Sequence, residues 1–188
     1  ITGFPYIQDF EAGSANWLIR GNTSFELGIP DAGNGVINTA ASGSSAFVTN
    51  LDGEYSNNEA GWVESPCFNF ALMDTPAIQF SYIAEIEYYP AIPGFAFDGA
   101  YLEYSTDGGQ AWIKVGAVGD TVNWYNFDNI WQVGHGWSGI VSNWTTTGIR
   151  MPYLGGESNV KFRFFLQSDV NNTYLTEPEG FGFDNILI

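Results

Sequence analysis

The sequence has little positive charge. Its 188 residues include five Lys and Arg against 21 Asp and Glu, which gives a net charge of −16. So acidic a chain repels the phosphate backbone of nucleic acids and anionic lipid headgroups. Runs of about 18 apolar residues, which a membrane-spanning helix needs, are also absent. We therefore expect neither a nucleic-acid partner nor membrane insertion.

Cysteine and histidine are equally scarce. Cys67 is the only cysteine, which excludes an internal disulfide, and His135 is the only histidine, so a catalytic triad or a His-based zinc site has no second histidine to use. The motifs H-E-x-x-H, G-x-S-x-G, C-x-x-C and G-x-x-x-x-G-K-[ST] are missing. These absences argue against the enzyme and nucleotide-binding chemistries that depend on such motifs.

Apolar and aromatic residues are plentiful, at 45% and 17%, while only 14% are charged against roughly 25% in an average domain. This length and composition predict a single domain over residues 1–188. Glycines and prolines divide the chain into short segments in which apolar residues alternate with a period of two. We predict an all-β, antiparallel two-sheet β-sandwich. The predicted strands are 17–20, 47–50, 61–65, 77–86, 100–105, 112–115, 143–147, 159–168 and 182–188.

Residues 105–112, Ser-Thr-Asp-Gly-Gly-Gln-Ala-Trp, match the pattern S-x-D-x-G-x-x-W, which is known as the Asp-box. We expect Asp107 to accept hydrogen bonds from nearby backbone amides and Trp112 to fold back as an apolar plug. Gly108 and Gly109 supply the positive φ that a tight turn needs. The motif predicts one hairpin and no chemistry.

A series of short motifs covers nearly the whole chain. In order they are 9–13 (D-F-E-A-G), 25–30, 42–55, 63–70, 97–109, 123–126 (N-W-Y-N), 137–139, 161–164 and 180–186 (G-F-G-F-D-N-I). This order resembles secreted jelly-roll modules of the MAM, reelin-repeat and cleaved-adhesin type. It resembles most of all the bacterial modules appended to immune-inhibitor-type metalloproteases and other exported proteins of gliding bacteria, because the paired cysteines of animal MAM domains are missing. The resemblance implies a concanavalin-like jelly roll, secreted or at the cell surface, in a larger multidomain protein.

The same resemblance implies a calcium ion that joins the first and last strands. The positions that match this role are Asp9, Glu11, Asp52, Asp98 and Asp184. Calcium accepts six to eight oxygen ligands and tolerates mixed carboxylate and carbonyl sets. Asp9 and Glu11 would point to one face of an extended segment. The alternative, carboxylates that are solvated or hydrogen-bonded without a metal, stays open.

Carbohydrate is the leading ligand class, because aromatic rings can pack against the apolar C–H face of a sugar. The candidate platforms are Tyr88, Tyr89, Trp124, Tyr125 and Trp131, and the two tyrosines before Pro90 are expected to be the most exposed. The last three lie in the aromatic-rich stretch 120–146, which we predict to be an ordered long loop. Core packing of these rings is the alternative. The alternative partner is a cell-surface protein. In that case the chain would be an interaction or accessory domain of a secreted peptidase.

Glu85 and Glu87 are a further pair, since residues two apart in a strand share one face. They resemble part of the Glu-Ile-Asp-x-x-Glu strand of jelly-roll β-glucanases, whose carboxylates act as nucleophile and acid/base. Position 90, where the acid/base would stand, is Pro90. We therefore expect a non-catalytic binding or adhesion module, with a glycosidase as the weaker alternative.

Overall fold

The chain folds into two stacked antiparallel β-sheets, which confirms the predicted sandwich. The structure is a computed structural model that describes residues 1–31, 33, 35–175 and 177–188. The strands are β1 Ile7–Gln8, β2 Leu18–Asn22, β3 Phe25–Gly28, β4 Ala46–Thr49, β5 Ala60–Glu64, β6 Ala77–Ile86, β7 Phe95–Ala96, β8 Gly99–Ser105, β9 Ile113–Lys114, β10 Phe127–Ile130, β11 Gly134–Gly136, β12 Gly139–Arg150, β13 Lys161–Gln167 and β14 Gly180–Leu187.

One sheet has the strand order β12-β6-β14-β4-β3, with β1 paired to β14, and the facing sheet has the order β2-β5-β13-β8-β9. A third, small sheet has the order β11-β10-β7, in which β10 runs parallel to β7. The first and last strands lie side by side, with Ile7 opposite Leu187. Within the described part of the chain, no helix is long or apolar enough to cross a bilayer.

The core is a continuous set of aromatic side chains between the two large sheets. Phe164 of β13 and Phe183 of β14 stack across the interface with ring centroids 4.0 Å apart. Trp137 is fully buried and its ring centroid lies 5.3 Å from that of Tyr82. Alternation explains this arrangement, because every second residue of a strand points inward.

The predicted strands are all present, and β6 has the predicted bounds. The prediction of a long loop at 120–146 is wrong, since this stretch contains β10, β11 and the start of β12. Strands of three or four residues contain too few positions to display a clear period of two. Gly and Asn also lie at the ends of these short strands, and both residue types are typical of loops.

The Asp-box hairpin has the bonds that its sequence predicts. Asp107 Oδ1 lies 2.7 Å from Ser105 Oγ and 3.0 Å from the backbone nitrogen of Ala111, from which it accepts a hydrogen bond. The amide of Gly109 donates to Ser105 Oγ, and the Trp112 indole donates to the Gly109 carbonyl. All of these bonds are internal to the turn, so the motif shapes the chain between β8 and β9.

Candidate functional site

Three carboxylates from separate segments converge at the ends of three strands. Glu87 follows β6, Asp98 immediately precedes β8, and Asp169 lies just beyond β13. One oxygen from each lies within 4.8 Å of the others, and Glu87 and Asp98 are buried while Asp169 is half-buried. We call these three residues the acidic triad. Such a cluster of oxygen donors can hold a metal ion.

The hydrogen bonds around Asp98 fix its carboxylate. Tyr55 Oη donates to Asp98 Oδ2 at 2.5 Å, and the backbone amide of Asp169 donates to Oδ1 at 2.7 Å. Burial raises the pKa of the Asp98 carboxyl to about 7, although these two bonds lower it, and the charges of Asp169 and Glu87 raise it further. Asp98 therefore binds a proton readily at neutral pH when no cation is near.

Glu87 and Asp169 are held by backbone amides of the segment after β13. The amide of Tyr174 donates to Glu87 Oε1 at 2.7 Å, and that of Asn171 donates to Asp169 Oδ1 at 2.9 Å. Burial raises the pKa of Glu87 above its usual range, while the Tyr174 amide lowers it. The 171–174 segment therefore orients two carboxylates of the triad.

The described residues place no cationic side chain in an ion pair with the triad. Lys161 pairs with Glu64 and Arg163 pairs with Glu103, each at 2.6 Å. Lys114 donates instead to backbone carbonyls. The described hydrogen-bond donors to the triad are neutral groups, so a divalent cation would supply the positive charge that they lack.

Of the five predicted calcium ligands, only Asp98 belongs to the triad. Glu11 and Asp184 lie at the loop 41–45 instead. Glu11 Oε1 accepts hydrogen bonds from the Ser44 and Ser45 amides at 2.9 and 2.6 Å, and Asp184 Oδ2 accepts from the Ala41 and Ser42 amides at 3.1 Å each. The two carboxylates therefore attach this loop directly by hydrogen bonds.

The surroundings of this loop shift the pKa values of its two carboxyls in opposite directions. Burial raises the pKa of Asp184 to about 6, to which the charge of Glu11 adds, whereas the amides of Ser45 and Ser44 lower the pKa of Glu11. Asp9 Oδ1 accepts the Glu11 amide at 3.2 Å, and Asp52 is exposed in the turn after β4. Within the described chain, no three of the five predicted ligands bring oxygens within 4.8 Å of one another.

Sequence reasoning did not single out Asp169, and it assigned Glu87 to a different chemistry. The available signal is strand pairing, because β8 and β13 are antiparallel with Gly99 opposite Gln167. Asp98 comes just before β8 and Asp169 comes just after β13. Because of this register, the two residues lie next to each other. Without the register, nothing in the sequence links positions 98 and 169.

A cavity of about 500 Å³ opens beside the triad residue Asp169. Trp131, Gln132, Gln167 and Phe97 line it, and Trp131 is 54% exposed. Gln167 Nε2 donates to Gln132 Oε1 at 3.2 Å, so the two amides face each other at the wall. An exposed ring next to polar groups that are fixed in place is the arrangement found in many small-ligand sites.

Trp131 lies at the tip of the β10–β11 hairpin, where Gln132 has a positive φ of 59°. The Trp131 amide donates to the Ala96 carbonyl at 2.9 Å. Lys114 of β9 donates to the carbonyls of Val133 and His135 at 2.8 and 2.7 Å. The tip that carries the ring is therefore tied to both the small sheet and the five-stranded sheet.

The other predicted platforms are less accessible. Trp124 and Tyr125 are 3% and 1% exposed and belong to the core, so the prediction that they bind ligand is corrected: their rings pack in the sandwich. Tyr88 and Tyr89 are half-buried rather than exposed. Tyr89 packs edge-on against Tyr174, with ring centroids 4.7 Å apart. Among the predicted rings, Trp131 alone is exposed.

Glu85 lies in β6 and Glu87 lies just beyond its end, and the surroundings of the two carboxyls differ. Burial raises the pKa of Glu85, and the charge of Glu179 adds to this effect. Glu87 is 1% exposed and bonded to the Tyr174 amide. A glycosidase needs both carboxyls to face a substrate cleft, and Glu87 is enclosed in the triad.

Comparison with known proteins adds a sequence relative and several structural neighbours. No protein-family model matches the chain. Bacillopeptidase F of Bacillus subtilis (strain 168) is 28% identical over 184 residues, which cover 97% of this chain and 10% of that protein. The chain thus spans about a tenth of the length of this relative.

Among solved structures, the chain is similar to two cleaved adhesin domains of Lys-gingipain. The K2 domain has a TM-score of 0.53 at 15% identity, covering 98% of this chain and 97% of that one. The K1 domain, from Porphyromonas gingivalis W83, has a TM-score of 0.50 at 13% identity, covering 98% and 97%. TmCBM61, solved in complex with β-1,4-galactotriose, has a TM-score of 0.51 at 12% identity, covering 96% and 92%. The chain shares the jelly-roll fold of cleaved adhesin and carbohydrate-binding domains.

Proposed function

We propose that this chain is a non-catalytic carbohydrate-binding module of a larger secreted or cell-surface protein. The observation that carries the proposal is the exposed ring of Trp131 beside a cavity lined by amides and two carboxylates. The apolar face of a sugar packs on such a ring while its hydroxyls bond to the polar wall. The shared fold with TmCBM61, which was solved with a galactotriose, supports this ligand class.

The proposal takes residues 1–188 as one domain, and two observations support its place in a secreted multidomain protein. The sequence relative is named as a peptidase and is about ten times as long as the aligned region. The structural neighbours include adhesin domains of Lys-gingipain. An accessory or protein-binding role beside a peptidase domain is therefore the second candidate function.

We propose that calcium binds at the acidic triad, which shares only Asp98 with the five positions that the resemblance implies. Three carboxylates, together with the nearby Tyr55 hydroxyl and the Asn172 side-chain oxygen 3.0 Å from it, form an all-oxygen environment. Calcium there would join the end of β6 to the ends of β8 and β13. Asp9, Glu11 and Asp184 form the second candidate set, although among the described residues their carboxylate oxygens do not all come within 4.8 Å of one another.

Affinity electrophoresis and a glycan array with added calcium test the carbohydrate function. The variant Trp131→Ala removes the exposed ring, and Tyr153→Ala, which removes another side chain that is 52% exposed, is the matched control. We expect the wild type and Tyr153→Ala to bind the same glycan and Trp131→Ala to lose it. Both variants should melt within a few degrees of the wild type, because surface substitutions cost little stability.

Two outcomes contradict the proposal. If Trp131→Ala binds as well as the wild type, the ligand site lies elsewhere. If the wild type binds no glycan on the array, the protein-binding role beside a peptidase becomes the better account.

A further inference from the structure

The cavity beside Trp131 contains negative charge and, among its described lining residues, no cation. Glu59 and Asp169 both contribute to the lining. Glu59 is 1% exposed and accepts hydrogen bonds from the Ser56 amide at 2.7 Å and from the Thr23 hydroxyl at 3.2 Å. Both carboxylate oxygens of Glu59 are thus held in place as hydrogen-bond acceptors.

Lys114 contacts the hairpin that carries Trp131, but its ammonium is bound to the backbone carbonyls of Val133 and His135. A calcium ion on the triad would not reverse the sign either. Three carboxylates and one divalent cation sum to one negative charge, and Glu59 adds another.

The paired amides of Gln132 and Gln167 present a donor next to an acceptor. Their mutual bond joins Gln167 Nε2 to Gln132 Oε1 at 3.2 Å. Among the described residues, this bond leaves the Gln132 amide protons and the Gln167 carbonyl oxygen available. A hydroxyl can both donate and accept. Two neighbouring hydroxyls on one sugar ring would therefore satisfy both amides at once.

We infer that this cavity selects an uncharged sugar with adjacent free hydroxyls and rejects sugars that carry a carboxylate or sulfate. The inference rests on the proposed carbohydrate function and adds a ligand class to it. The ring of Trp131 packs against the sugar, and the paired amides form hydrogen bonds with its hydroxyls. Glu59 and Asp169 repel anions. Repulsion between these carboxylates and an anionic sugar in a partly hydrated site is expected to weaken binding at least about tenfold.

Matched pairs of oligosaccharides test the selectivity. Galactose, glucose and mannose oligomers are compared with galacturonate, glucuronate and mannuronate oligomers of the same length and linkage. Titration calorimetry at pH 7.5 with 1 mM calcium measures each affinity for the wild-type chain. We expect at least one neutral oligomer to bind about tenfold more tightly than its uronate partner, with Trp131→Ala losing that binding.

Two variants that add the same charge at different places test whether charge at the cavity causes the selectivity. Val170 lines the cavity and is 67% exposed, whereas Val118 is 42% exposed and lies outside the cavity lining. Val170→Lys should raise the affinity for the uronate partner about tenfold, because the new cation faces the anion at close range. Val118→Lys should leave the ratio of the two affinities unchanged.

Different results would overturn the selectivity and the proposed carbohydrate function. Equal or tighter binding of the uronates, lost in Trp131→Ala, overturns the selectivity and leaves the carbohydrate function standing. An equal effect of Val170→Lys and Val118→Lys overturns the location of the selective charge. If no oligomer binds and the glycan array is blank, both the function and the selectivity are overturned.

Discussion

In the absence of calcium, the stability of this chain should fall as the pH rises, because the fold favours the protonated form of Asp98. Burial raises its pKa to about 7 from an unfolded value of 3.8. When the folded pKa is the higher one, the folded state binds more protons, and stability decreases with pH between the two values. The stabilisation is therefore complete below pH 3.8 and is lost as the pH rises through about 7.

The size of the effect follows from the shift. Each pKa unit corresponds to about 1.4 kcal/mol, so Asp98 alone should lower the free energy of unfolding by about 2–3 kcal/mol between pH 5 and pH 8. For a chain of this length that is roughly 5–10 °C in Tm. Asp184, whose pKa is raised to about 6, acts in the same direction. Glu11 and Asp107 have lowered pKa values, so their contributions are lost only at more acidic pH.

Urea unfolding followed by tryptophan fluorescence at pH 5, 6, 7 and 8 in EGTA measures this slope. Asp98→Asn keeps an acceptor for Tyr55 but cannot ionise, so its slope should be smaller by the contribution of Asp98. Asp52→Asn is the matched control, because Asp52 is exposed. Saturating calcium should flatten the wild-type slope, since the ion binds the ionised triad. A wild-type stability in EGTA that is constant or rises from pH 5 to pH 8 would refute the reasoning.

Three further predictions concern the core, the sheet surface and catalysis. Trp137→Ala removes a fully buried ring and should cost about 3–5 kcal/mol in the same urea assay, whereas a loss under about 1 kcal/mol would contradict its place in the core. Arg163→Ala leaves the half-buried Glu103 without its partner and should cost about 2 kcal/mol, and a double-mutant cycle with Glu103→Ala that shows no coupling would rule out the pair. The wild type and Glu87→Gln should both fail to hydrolyse β-glucans, agar and alginate in a reducing-sugar assay. Wild-type hydrolysis that Glu87→Gln abolishes would establish a glycosidase.

The sequence predicts the sandwich well where strands are long. In β6, ten residues form one long strand that is buried along its middle and alternates only towards its ends, and a run of this length makes both bounds visible in the amino-acid order. In β10 and β11 the strands have four and three residues, and only tertiary packing makes them strands. Pattern length, rather than composition, limits the prediction here.

The candidate site was harder to predict because it depends on distant residues. Asp98 and the Asp169 amide are 71 residues apart in sequence but bonded at 2.7 Å. The aromatic rings pose a different problem, since a tryptophan has the same identity in a core and on a surface. Trp124 is buried while Trp131 is exposed, and the difference arises from the hairpin that carries Trp131 away from the sandwich.

Under the proposed function, the contact of Lys114 with the Trp131 hairpin would give the Asp-box an indirect part in binding. Lys114 lies in β9, the strand that follows the Asp-box turn, and its ammonium holds the carbonyls at the base of the Trp131 tip. If that turn loosened, the ring would keep its chemistry but gain freedom of movement. A sugar would then have to immobilise the ring on binding, and part of the contact energy would be lost as conformational entropy. A turn that never touches the ligand can thus determine how tightly the ligand is held.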